Sequence, residues 1–140
     1  MNIRRGLIYT ACFISGAASF GVAQSGYPPL EVLLSASQTT IGQEIAYPPG
    51  KAKITAAIVN MQPGEKTGRH RHEAPLFAMI LEGEVSLDYG NGVTRNFKKG
   101  DTFLEAFQTS HEGTNTGDQP VRILVVFAGS DSVKNTIMEP

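Results

Sequence analysis

At 140 residues, 41% hydrophobic and 18% charged, the chain has the composition of one globular domain and is too short for two. Twelve basic residues stand against thirteen acidic ones, a balance that argues against nucleic acid as a partner. Residues 1–23, MNIRRGLIYTACFISGAASFGVA, run from Arg4 and Arg5 into an apolar stretch that ends in small residues. This is the pattern of a secretory signal peptide cut after Ala23. Gly6, Gly16 and Gly21 interrupt a run that is already short for a span, so no membrane attachment is expected after removal. Tyr9-Thr10-Ala11 ahead of Cys12 lacks the aliphatic residue of a lipidation site, and Arg4-Arg5 lies in a poor twin-arginine context. General export to a periplasmic or secreted location is the expectation. Cleavage takes two of the twelve basic residues and none of the thirteen acidic ones, leaving ten against thirteen. It also takes the only cysteine, so packing rather than a disulfide must hold the mature chain.

Residues 24–50 form an extended amino-terminal arm. Proline pairs at Pro28-Pro29 and Pro48-Pro49 disfavour helix on either side, and short β segments are predicted over 31–34 and 39–45. From Lys51 the pattern turns to strands. KITAAIVNM is rich in β-branched and small residues, LFAMIL is a short apolar run, EVSLDY alternates, and VTRNF follows the hairpin signal Asn91-Gly92. Lys99-Gly100-Asp101 predicts a turn, TFLEAF a strand, and PVRILVVFAG a long strand buried on both faces. No window carries a helical period beyond one turn. Seven or eight short strands within about a hundred residues indicate an all-β sandwich or barrel, expected over 51–130 with a tail at 131–140.

Two of the three histidines lie in PGEKTGRHRHEAP. On a strand, residues i and i+2 project from one face with Cα atoms about 6.6 Å apart, so His70 and His72 converge while Arg69 and Arg71 face away. Lys66, Arg69 and Arg71 alternate with Glu65 and Glu73, the arrangement of a solvated face. Imidazole pairs at this spacing suit a transition metal ion, although His-x-His alone also describes a pair of surface histidines.

The wider pattern is more specific. Gly64, five residues, His70-x-His72, then Gly83, then GDTFLEAFQTSHEGTN over 100–115 with His111 and Asn115 in register, resembles the two motifs of the cupin family. The resemblance covers residues 54–127. It implies a cupin-type double-stranded β-helix, or jelly-roll, barrel, with one divalent metal held by His70, His72 and His111. Iron, manganese, zinc, nickel and copper all remain open. The sequence departs from the family where the motif spacing places a glutamate, because that position is Leu76, and Ala106 and Gln108 replace the motif's proline and glycine.

Three neutral ligands would leave a dication's charge uncompensated, so the site should favour anions, and a bound water should be unusually acidic. Three-histidine cupins such as cysteine dioxygenases and some diketone-cleaving dioxygenases use iron in this way. A small metal-dependent enzyme, oxygenase-like or a lyase or isomerase, is therefore expected to act on a small oxygenated or anionic substrate. A non-catalytic metal- or ligand-binding protein and a structural dimeric barrel are the alternatives.

Glu105 fits two readings, an outward carboxylate on a two-faced strand or a catalytic group at the site, acting as fourth ligand, imidazole orienter or general base. Leu76, Ala78 and Ile80 share the parity of the histidines and are expected to line the interior. Phe77, Phe103 and Phe107 are expected in the core, and Asn115 is expected to tie a turn. Cupin barrels often pair through edge strands and amino-terminal arms, which makes a homodimer built with residues 27–50 the expected assembly.

Overall fold

The computed structural model describes residues 28–140; the predicted signal peptide, with its cleavage site, lies outside the described residues. The chain divides into two units, Met1–Glu31 and Val32–Pro140, and everything below concerns the second. Its nine strands are β1 (Ala52–Met61), β2 (His70–Arg71), β3 (Leu76–Glu82), β4 (Glu84–Asp88), β5 (Thr94–Lys98), β6 (Thr102–Leu104), β7 (Glu112–Asn115), β8 (Val121–Ser130) and β9 (Ile137–Met138). They form a four-stranded sheet β1-β8-β3-β6, a three-stranded sheet β5-β4-β7 and a two-stranded ribbon β2-β9, with every pairing antiparallel. Among the described residues no helix is long and apolar enough to cross a membrane.

Alternation drives the assembly. Leu76, Ala78 and Ile80 on β3, Val85 and Leu87 on β4, and Val121, Ile123, Val125 and Phe127 on β8 all turn one way and join one core cluster. Burying each large aliphatic side chain contributes about 1.5–3 kcal/mol. The opposite parity of β8 carries Arg122, Leu124 and Val126, exposed or half-buried. The strand predicted to be buried on both faces is therefore buried on one, because no second layer covers the other among the described residues. Ile54, Ala56 and Ile58 on β1 and Phe77 and Met79 on β3 share that outer surface, also exposed or half-buried. The free edge of β1 bounds it.

The turns follow their residues. At Gly90-Asn91-Gly92 all three φ angles are positive, with Asn91 at 50°, and Val93 N–H donates to Gly90 O at 2.9 Å. Gly83, between β3 and β4, has φ of 74°, and a Cβ there would lie 2.7 Å from the Pro120 carbonyl oxygen, so only glycine lets the two segments approach.

Two further expectations need correction. Neither 31–34 nor 39–45 forms a strand; the second is a tight turn, with Gly42 N–H donating to Thr39 O, closed by a single bridge between Gln38 and Glu44. The strand predicted over TFLEAF stops at Leu104, because the next peptide N–H, after Glu105, bonds a side chain instead of a ladder partner. The segment 131–140 carries β9, paired to β2 through His70↔Met138 and Arg71↔Ile137.

Candidate metal centre

Backbone pairing creates the site. His70 and His111 face each other in an isolated antiparallel bridge, exchanging both N–H···O bonds at 3.0 and 2.9 Å. This hydrogen-bonded pairing sets the two residues directly opposite each other, and their ring centroids lie 4.4 Å apart. His72, two residues beyond His70, returns to the same face, with its ring 4.9 Å from His70 and 5.0 Å from His111. Arg69 and Arg71 point the other way, to Asp88 and Glu139, each at 2.9 Å. All three imidazoles are buried, and one ring nitrogen from each lies within 4.8 Å of the others.

A backbone carbonyl fixes each ring. His70 Nδ1–H donates to Gly68 O, His72 Nδ1–H to Asn135 O and His111 Nδ1–H to Thr109 O, all at 2.9 Å. A carbonyl only accepts, so each Nδ1 carries the proton and each Nε2 keeps its lone pair. Burial holds all three rings neutral, lowering their pKa values, that of His72 to about 3. Neutral imidazoles with free Nε2 lone pairs are the form that binds metal. Two nitrogens on one ion lie about 3–4 Å apart, so this cluster is within a small side-chain adjustment of gripping one ion. The donor set fits a divalent transition metal.

Glu105 faces inward, at 6% exposure. Its Oε1 accepts two short bonds, from Tyr89 Oη–H and Ala106 N–H, both at 2.6 Å, and its Oε2 lies 3.7 Å from His111 Nε2. Burial raises its pKa against the pull of those two donors, and burial with the neighbouring carboxyl raises that of Tyr89. Tyr89 was missed at the level of sequence, although it continues the inward parity of Val85 and Leu87 one step past the end of β4.

The cluster opens onto a cavity of about 310 Å³, lined by the polar Asn60, Lys66, Thr67 and Thr136 and by apolar side chains including Leu76, Ala78, Phe103, Ile123, Val125 and Phe127. Ile80 shares their parity but lies deeper in the core, fully buried and off the cavity wall. Of the three phenylalanines expected in the core, Phe103 alone is buried, stacked on Phe97 at 3.8 Å. Phe77 and Phe107 are half-buried. Asn115 ties the turn that follows it: its Nδ2–H groups donate to Met61 O and Gln119 O, while its Oδ1 accepts from Gly117 N–H.

The family model of the cupin domain matches residues 57–127, half of the chain, spanning the barrel from β1 to β8. The chain is a cupin. Solved structures agree that this cupin is a double-stranded β-helix. The oxalate decarboxylase of Lactobacillus farciminis is 28% identical with a TM-score of 0.53, covering 63% of this chain and 27% of its own. The DMSP lyase DddQ of Ruegeria pomeroyi is 27% identical with a TM-score of 0.52, covering 61% of this chain and 42% of its own. A conserved protein with a double-stranded β-helix domain from Klebsiella pneumoniae, 18% identical with a TM-score of 0.53, covers 69% and 90% and shows the fold alone. The cupin thus spans about a quarter of the decarboxylase and less than half of the lyase. No curated protein matches the sequence.

The buried groups set a pH dependence for the metal-free protein. His72 titrates near 3 when folded and near 6.5 when unfolded, so between those values the unfolded chain binds more protons and stability falls as pH falls. His70 and His111 act in the same direction. Glu105, with its folded pKa raised, opposes them: its contribution is present below its unfolded pKa and is lost as pH rises through the folded value. Three imidazoles outweigh one carboxyl, so the metal-free protein is expected to melt at a lower temperature at pH 5 than at pH 7. Calorimetry at the two values checks this, and a higher melting temperature at pH 5 would contradict it.

Proposed function

We propose that this cupin is an exported, single-domain enzyme that holds one divalent transition metal on His70, His72 and His111 and acts on a small oxygenated or anionic compound. The observation that carries this is the convergence of three Nε2 lone pairs, each ring fixed by a carbonyl, at the wall of a cavity large enough for a small molecule. When bound, the ion supplies Lewis acidity toward an oxygen of the compound. The residues of the chain do the rest. The imidazoles hold the ion and leave room for other ligands, the apolar walls exclude water and strengthen electrostatic interactions, and Glu105 is the group placed to give or take a proton.

Glu105 fits that role because Tyr89 and Ala106 occupy one of its oxygens and leave the other beside His111. Burial raises the pKa of this carboxyl above its ordinary value, the direction in which a general acid or base is tuned. The chemistry is of the oxygenase, lyase or isomerase kind; the resemblance to an oxalate decarboxylase and a DMSP lyase supports carbon–carbon or carbon–heteroatom bond cleavage at such a site.

The assembly we infer is a homodimer. The ten-residue β1 ends the large sheet with a free edge, a feature that invites strand pairing. The apolar outer surface of Ile54, Ile58, Leu124 and Val126 beside it extends the contact, and the arm over 27–50 takes part as the family resemblance implies. The predicted leader supports export.

Elemental analysis of the purified protein is expected to find about one transition metal ion per chain. His72→Ala and His111→Ala are each expected to lose it, while Glu105→Gln retains the ion and the fold but loses turnover; full occupancy in both histidine variants would reject the assignment. Sedimentation equilibrium is expected to give a dimer that Val126→Lys converts to a monomer, and a monomeric wild type would reject the assembly. Amino-terminal sequencing of the exported protein is expected to begin at Gln24, and an intact Met1 would reject cleavage.

A further inference from the structure

The loop between Glu105 and His111 lacks the residues that would stiffen it. At the motif's proline and glycine positions stand Ala106, which leaves φ unrestricted, and Gln108, which lies at φ of 53°. A residue with a side chain persists in that left-handed conformation only where its surroundings hold it. The loop belongs to no strand, since β6 ends at Leu104 and β7 begins at Glu112. Its backbone groups must find partners elsewhere.

The support comes from a distant stretch of chain. The tight turn at 39–43 docks on the end of β6, with Thr40 N–H donating to Leu104 O at 2.8 Å and Ile41 packed against the core. From this turn the Gln43 side chain reaches across to the loop. Its Nε2–H groups donate to Phe107 O at 2.9 Å and to Thr109 Oγ1 at 2.8 Å, and its Oε1 accepts from Phe107 N–H at 2.9 Å. Thr39 Oγ1–H donates to the same Oε1 at 3.2 Å. A carboxamide has two donor hydrogens and two acceptor lone pairs, so every one is used and the group has a single orientation. Phe107 is bound through both its N–H and its C=O, as a hydrogen-bonded ladder partner would bind it.

The clamped residues lead straight to the site. Thr109 O is the acceptor that fixes the His111 ring, and Ala106 N–H, one residue before Phe107, holds Glu105 Oε1. Gln108 N–H donates to His72 O at 2.9 Å, so the same loop also meets the backbone of a second histidine. We propose that Gln43 is a positioning residue of the metal centre. Its carboxamide stands in for the missing proline and glycine, holds 106–109 in one conformation, and so fixes the carbonyl that aims His111 and the peptide N–H that aims Glu105. The proposal rests on the metal reading given above, and it gives the amino-terminal arm a part in the site itself.

The test uses the full chain, stripped of metal and titrated with cobalt(II), whose visible absorption follows ligand number and geometry. Gln43→Glu keeps the size and the acceptor but removes both donors and sets a carboxylate against the Phe107 carbonyl. Gln43→Met keeps the size and removes all four bonds. Each is expected to bind cobalt(II) at least about tenfold more weakly than the wild type, the scale for losing a group that orients a ligand, and to show altered absorption bands at saturation. Ile41→Ala loosens the same turn through its packing and makes none of these bonds to the loop. It is expected to lower the melting temperature while keeping wild-type affinity and bands. Should Gln43→Glu fail to fold, Gln43→Met decides alone. Wild-type affinity and bands in folded Gln43→Met overturn the proposal and leave the metal reading standing. An Ile41→Ala spectrum altered as much as those of the Gln43 variants also overturns it, because the docking of the turn rather than the carboxamide would then set the centre. A wild type that binds no cobalt(II) overturns both.

Discussion

Three hydrogen bonds from ring Nδ1–H groups to backbone carbonyls carry the logic of the molecule. Without them each buried imidazole could turn or exchange tautomers, and the convergence of three Nε2 atoms would be one arrangement among many. The carbonyls of Gly68, Thr109 and Asn135 come from three separate stretches of chain, so the barrel must close before the cluster is held. The fold and the site are thus a single construction, with the core strands serving as the frame that brings those carbonyls to their rings.

Around that centre, polarity is arranged in layers. Much of the cavity wall is aliphatic and aromatic, the metal-facing layer is imidazole, and Asn60, Lys66, Thr67 and Thr136 add polar groups to the lining, with Lys66 paired to Glu112. Glu105 is the exception, a carboxyl drawn into the interior and tolerated because Tyr89 and a peptide N–H bind it. Leu76 and Glu105 are adjacent across the structure, with Glu105 N–H donating to Leu76 O at 2.9 Å. The position where the cupin motif has a glutamate is therefore apolar, while the neighbouring strand end supplies a carboxyl from elsewhere in the sequence.

Much of this was legible in the residues, and the failures have physical causes. The long strands announced themselves by alternation, and the histidine parity of the His-x-His stretch survived folding because β2, though only two residues long, is truly extended. Strands β7 and β9 were invisible: EGTN and IM carry no periodic signal, and each is defined by the strand across from it, β7 by β4 and β9 by the histidine-bearing β2. Glu105 was ambiguous because strand parity predicts direction only while the strand continues, and here it ends at Leu104. Tyr89 was hidden for a related reason, since it follows the last ladder residue of β4 and its role is defined by a partner sixteen residues away.

The acceptor for His72 lies 63 residues further along the chain. A ribosome makes the His-x-His pair long before it makes Asn135, and until that segment docks against β2 the third ring has nothing to set its orientation. The oriented set of three rings is consequently complete only once the carboxy-terminal segment has docked, so the last residues of the domain to be synthesised finish a site whose first residues were made 63 positions earlier.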